Sequence, residues 1–228
     1  MKKYMSWMGI AALICVFFMG MNTLMKQKNS TEKMEGVEAY MQSRYPGEEF
    51  IFSGVHTGGR GAYSLVSPKG EPEETFRVFA GKDEKTFEDT YYTLTLRKAV
   101  KDEAESLVQR VFKTAYVLPK VYQLAQGETL EPYPSLQAYT KKSSANIDLR
   151  VVVDESEAAA FTQVNIEKAL AALAERFACE TVVFSLAKPG KMDAVRGMTY
   201  AKADSSQKEW AENSVKARIH TDGSYQLR

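Results

Sequence analysis

The chain is poor in the residues that most enzymatic and metal chemistries draw on. Of its 228 residues only two are cysteine and two histidine. Cys15 and Cys179 are too few for a disulfide framework or a four-cysteine metal site. His56 and His220 are the sole imidazoles. No HExxH, no CxxC and no D-x-D-x-D-G calcium loop occurs, and no Gly-x-Ser-x-Gly elbow marks a nucleophile. Charge of one sign is lacking too: 30 Lys plus Arg stand against 29 Asp plus Glu, a net charge of +1. That balance argues against a dedicated nucleic-acid binder. There is no internal repeat and no low-complexity tract.

What the chain does have is apolar side chain, 44% of its residues, and one conspicuous run of it. From Met5 to Met25 no residue is charged. Twenty-one residues at about 1.5 Å each span the roughly 30 Å hydrocarbon core of a bilayer. Trp7 sits near one end, at headgroup level, and lysines flank both sides. A cleavable signal peptide would need a small-residue A-x-A site after the run, but the chain there reads Gly-Met-Asn-Thr-Leu-Met-Lys. A lipoprotein would need a small residue before its cysteine, whereas Cys15 follows Ala12-Leu13-Ile14 and precedes more apolar chain. An uncleaved transmembrane anchor over residues 5–25 is therefore expected. Lys2 and Lys3 nearly balance Lys26, Lys28 and Lys33, so charge does not set the orientation. A four-residue head before the span reads as a signal-anchor with an extracytoplasmic tail. Residues 1–28 hold four lysines and no acid, leaving 26 basic against 29 acidic residues in the tail, a balance of −3.

The tail reads as α+β. A short helix carrying Met34, Val37, Met41 and Tyr45 ends at Tyr45-Pro46-Gly47. Four strand-like runs follow, Glu49 to Val55, Ala62 to Ser67, Thr75 to Ala80 and Asp89 to Leu96, joined by short turns as an antiparallel meander. A helix with Leu96, Val100, Ala104, Leu107, Val108, Val111 and Phe112 on one stripe is expected to cover it. Between residues 119 and 145, Pro119, Gly127, Pro132 and Pro134 break the pattern, which suggests a junction. The second module opens with alternation over Ile147 to Val153, then a helix capped by Asp154, a strand over Thr181 to Ala187, a weak strand over Met198 to Ala201, and a last strand with Val215, Ala217 and Ile219 turning at Asp222-Gly223 into Tyr225 to Leu227. The expected division is an anchor at 1–28, an α-β-meander-α module at 29–118, a junction at 119–145 and a β-α-β-β module at 146–228.

Few residues invite a chemical role. His56 precedes Thr57-Gly58-Gly59-Arg60-Gly61, where an imidazole, the Arg60 guanidinium and free amides could meet an anion. The same glycines serve a plain hairpin, and no phosphate-loop lysine and hydroxyl follow. The carboxylate pairs Glu48-Glu49, Glu73-Glu74 and Glu88-Asp89 sit at strand ends, where charge is common anyway. Lys216, Arg218 and His220 read as a solvated strand face, and Cys179 as a buried small hydrophobe. No cofactor is expected.

The order of anchor, short helix, Tyr45-Pro46-Gly47, Phe50-Ile51-Phe52, Tyr63 to Gly70, Phe76-Arg77-Val78-Phe79, then Asp89 to Tyr92 into an amphipathic helix resembles small membrane-anchored or lipid-anchored envelope proteins of Gram-positive bacteria. The resemblance covers about residues 31–115 and departs from the lipoprotein members by lacking their modifiable cysteine. It implies a membrane-tethered, extracytoplasmic binding protein of the cell envelope, not an enzyme, with an envelope protein as partner and His56 and Arg60 as the candidate contact loop. The alternative is an envelope hydrolase whose site is assembled from scattered residues.

Overall fold

The computed structural model describes residues 34–58, 61–81, 86–125, 127–128 and 130–228; the expected membrane segment and Arg60 lie outside them. By its contacts the chain forms two units, one up to Thr90 and one from Tyr91. Both combine helices with antiparallel or mixed sheet, so the tail is α+β.

The first unit pairs one helix with a four-stranded sheet. Helix α1 covers residues 34–44 of the described chain. Val37, Met41 and Tyr45 fall on one stripe and are buried. The helix stops before Pro46, and Gly47 takes φ +91° in the turn that follows, a conformation open to glycine. Strands β1 (Phe50–Gly58), β2 (Gly61–Pro68), β3 (Phe76–Ala80) and β4 (Phe87–Asp89) then form the expected meander, in the order β1-β2-β3-β4 with every pair antiparallel. Asp89 fastens the helix to it: the phenols of Tyr40 and Tyr45 donate to its carboxylate at 2.7 and 2.8 Å, and Arg44 Nε lies 3.0 Å away. Burial, and then the carboxylate beside them, push both phenols above the ordinary tyrosine range.

The fourth strand is shorter than the sequence suggests. Thr90 accepts a hydrogen bond from Arg77 N through its hydroxyl, and helix α2 (Tyr92–Val108) starts two residues later. The aromatic and β-branched run at 90–95 favours strand by propensity. Burial of Tyr92, Leu96, Val100, Ala104, Leu107 and Val108 at helical spacing outweighs it. On the helix's outer side Lys98 pairs with Asp102 at 2.7 Å and Lys101 lies 3.9 Å from Glu105, the expected i, i+4 partners.

The second unit is built on a five-stranded mixed sheet, β5 (Tyr116–Val121), β6 (Ile147–Val153), β7 (Cys179–Ala187), β8 (Ala211–Ile219) and β9 (Tyr225–Leu227), in that order. Only β6 and β7 run parallel, joined through a 3-10 helix (Glu155–Ala160) and helix α4 (Gln163–Ala174). Helix α2 belongs here and not over the meander: its buried stripe joins Ile166, Ala169, Leu170 and Leu173 of α4 and the inward residues of β5 to β8 in one core. The unit therefore begins at 91, and the expected junction at 119–145 holds part of it. Helix α3 (Leu136–Thr140) lies in that stretch, as do residues 119–121 of β5. Pro119 does not break the chain here. It sits in β5, an edge strand, where the missing N–H costs no ladder bond to a neighbour.

The other face of the sheet is covered as well. Helices α5 (Met192–Arg196), α6 (Tyr200–Ser205) and α7 (Gln207–Trp210) replace the weak strand expected at Met198–Ala201. Thr199 caps α6 by accepting from Lys202 N, and Val195, Ala203 and Trp210 pack with Leu118, Val152, Ala187 and Met192 in a second core. Every residue of β6 is buried in consequence. The polar positions Asp148 and Arg150, which alternation assigns to solvent, are 6% and 0% exposed.

If α2 is half of this core, a chain of residues 91–228 unfolds cooperatively in urea, whereas one of residues 119–228, without α2, shows no cooperative transition by circular dichroism. A cooperative transition in the shorter chain would refute the boundary at 91.

Candidate functional site

His56 lies on β1 in a row of cross-strand partners. It faces Tyr63 of β2, which faces Phe79 of β3. The imidazole stacks on Tyr63 with ring centroids 5.6 Å apart, Tyr63 and Phe79 are 5.8 Å apart, and the Arg77 guanidinium carbon stands 5.0 Å over Tyr63. Gly58 pairs with Gly61 across the hairpin, so the glycines close a two-residue connection between β1 and β2. Arg60 falls in that connection, outside the described residues. What the structure describes of the candidate loop is thus a histidine in an aromatic row on a hairpin. The remaining polar candidates are engaged locally. Asp89 holds α1, Glu49 is paired with Lys69 at 2.7 Å on the surface, and His220 donates its backbone N–H to Ser224 in the β8–β9 turn. Cys179 is buried, which pushes its thiol well above the ordinary range, away from nucleophilic character. Among the described residues no three metal-ligating side chains converge.

The most concentrated polar chemistry lies where the sequence suggested solvent, beneath α6 and α7. Arg150 Nη1 donates to Gln207 Oε1 at 2.9 Å and Nη2 pairs with Asp204, whose side chain stays 62% exposed. The guanidinium lies between two rings, 5.7 Å from the centroid of Tyr200 and 5.8 Å from that of Trp210. Its buried Nε has no hydrogen-bond partner. Alongside, Asp148 accepts from the Tyr122 hydroxyl at 2.6 Å and from Thr181 N at 3.0 Å, and Lys120 Nζ stands 4.2 Å over the Tyr122 ring. Burial, and then the nearby Asp148 carboxylate, push the Tyr200 phenol up to about 12. This network ties the helices to the sheet. The groups face one another, and a fully buried guanidinium offers no surface to a ligand.

A signal for it was present in Val151-Val152-Val153. An apolar residue on each side of the strand in succession marks a strand covered on both faces. With Val152 buried against Trp210 and Ala203, its same-face neighbours Arg150 and Asp148 are carried under cover too.

A groove lies at the other end of the sheet. Strand β9 pairs with β8 only at Ala217, Arg218 and Ile219, and Arg228 N reaches Lys216 O. Residues 213–215 of β8 pair with Leu186, Ser185 and Phe184 of β7, and the register shifts at Glu212. Beside these residues runs the groove, of about 540 Å³ and lined by Phe161, Ile166, Val215 and Leu227, with Gln163, Asn213, Ser214 and Arg228 at its rim. Its size falls within the roughly 300–1,000 Å³ of ligand sites. Val164, next to it on α4, is 61% exposed.

No family model matches the chain, and no curated protein matches it. A solved structure, a DUF5037 family protein from Ruminococcus gnavus ATCC 29149, is similar at a TM-score of 0.48 and 12% identity, over 84% of this chain and 93% of that one.

The buried pairing of Arg150 makes a sharp mutational prediction. Asp204→Ala leaves the guanidinium with Gln207 alone and is expected to cost about 1–3 kcal/mol in urea unfolding. Adding Arg150→Met removes the stranded charge and is expected to recover most of that loss. Equal destabilisation of the single and double variants would show that the charge pairing does not matter.

Proposed function

We propose that this chain is a single-pass, membrane-tethered binding protein of the cell envelope, anchored through residues 5–25 with its tail outside the cytoplasmic membrane. The observation that carries the binding role is the apolar groove beside β8, lined by Phe161, Ile166, Val215 and Leu227. A groove of this size beside a strand receives the apolar side chains of an extended segment. The partner is accordingly a protein segment of the envelope.

Tethering rests on the uncharged run Met5 to Met25. Among the described residues no helix is long and apolar enough to cross a membrane. A binder held at the membrane surface meets its partner at a raised effective concentration, and a short interface then suffices.

Protease accessibility of a C-terminally tagged chain in intact protoplasts tests the placement. Loss of the tag without lysis is the expected result. Protection until lysis would put the tail in the cytoplasm and overturn the envelope role.

A further inference from the structure

The stretch between β5 and β6 holds a second cavity, separate from the groove beside β8. It has a volume of about 840 Å³ and is lined by residues 130–135 and by Gln137, Ala138, Lys141 and Lys142 of α3 and the turn after it. That volume lies within the range of small-ligand sites.

Tyr133 supplies an aromatic ring to the cavity. The ring is 50% exposed and stands edge-on to the buried Tyr91, with centroids 6.5 Å apart and planes at 72°. The backbone beneath it is strained. Tyr133 has φ +52°, and among the described residues it is the one non-glycine residue with a positive φ. Asparagine or glycine would take that conformation at lower cost. Pro132 and Pro134 fix φ on either side, and strain held in this way gathers at ligand sites.

The polar groups on the lining are mainly cationic or neutral. Lys141 is exposed and Lys142 half-buried, and neither has an ion-pair partner among the described residues. Glu131 is the one carboxylate on the lining. The nearby Glu128 is already engaged: it accepts from Ser143 N and Oγ at 3.1 and 2.9 Å and from Ser144 Oγ. Backbone groups offer little. Pro132 and Pro134 carry no N–H, and the amides of Tyr139, Lys141 and Lys142 donate to the carbonyls of Ser135, Gln137 and Tyr139. An extended peptide would find no ladder to join, so recognition here is by side chains.

An aromatic ring accommodates the C–H side of a sugar, an amide and a hydroxyl meet sugar hydroxyls, and ammonium groups meet an acid substituent. We infer that this cavity binds an acidic saccharide, with a sugar ring packed on Tyr133, hydroxyls at Gln137 and Ser135, and a carboxylate at the Lys141-Lys142 pair.

Calorimetric titration of the full-length chain in detergent micelles tests this with trigalacturonate, a linear uronic-acid trimer. Its methyl ester keeps the sugar rings and removes the charge, and tricarballylate keeps the carboxylates and removes the rings. Saturable binding of trigalacturonate is expected, with each control about tenfold weaker or worse. Tyr133→Asn keeps a residue suited to positive φ and removes the ring, and Lys141→Gln with Lys142→Gln removes the charge. Each variant is expected to weaken trigalacturonate binding about tenfold, while Tyr133→Phe retains it. Circular dichroism checks that the variants keep the fold, and if Tyr133→Asn does not, the lysine variant decides. Equal binding of tricarballylate would show a plain anion site and overturn the saccharide. Equal binding of the ester would overturn the role of the lysines. No binding of trigalacturonate, or binding undiminished in the folded variants, would overturn the cavity as its site.

Discussion

The second unit depends on the two-sided burial of β6. Its odd-numbered residues Ile147, Leu149, Val151 and Val153 build the core with α2 and α4. The even-numbered residues Asp148, Arg150 and Val152 lie under or beside α6 and α7. Covering a strand on both sides removes all its apolar surface from water but carries its polar residues into the interior too, where a charge without partners is costly. The Asp204 carboxylate and the Gln207 amide, the rings of Tyr200 and Trp210, and the Tyr122–Asp148 hydrogen bond meet that requirement. They explain why three short helices, each too short to be stable alone, are fixed in place on the sheet.

That rigidity has a consequence at the sheet's far side. β7 is held by β6 through a parallel ladder and by β8 through an antiparallel one, so β8 has a firm partner along one side. β9 covers only part of its other side. An edge strand left open would ordinarily be blunted by a bulge, a proline or charge. The β7–β8 register is regular over residues 213–217 and shifts at Glu212, which is left without a partner between Asn213 and Ala211. The apolar groove beside this strand is the basis of the proposed binding role.

How much of this could be read from the sequence varied with the physics of each element. The first unit's meander was legible because short Gly and Pro turns separate aromatic and β-branched runs, and the helix end at Tyr45-Pro46-Gly47 follows from proline sterics. The strand at Ile147 to Val153 was placed correctly, as was the turn at Asp222-Gly223. Its environment was not, since alternation of Asp148 and Arg150 with apolar residues says only that the faces differ, and the covering helices come from 50 residues downstream. Tyr92 to Leu96 and Met198 to Ala201 were read as strand by composition, yet both entered helices because long-range burial set their conformation. The groove was invisible for the same reason, since Phe161, Val215 and Leu227 are brought together by the sheet order alone. His56 drew attention through its rarity, and rarity has no bearing on where a side chain lies.

Amide hydrogen exchange along β8 in the full-length protein tests the central claim most directly, because it reads each backbone donor by itself. The account predicts alternation: the Asn213 and Val215 amides, turned to β7, are protected, while that of Ser214 exchanges much faster. Equal protection of Ser214 and its two neighbours would contradict an accessible strand beside the groove.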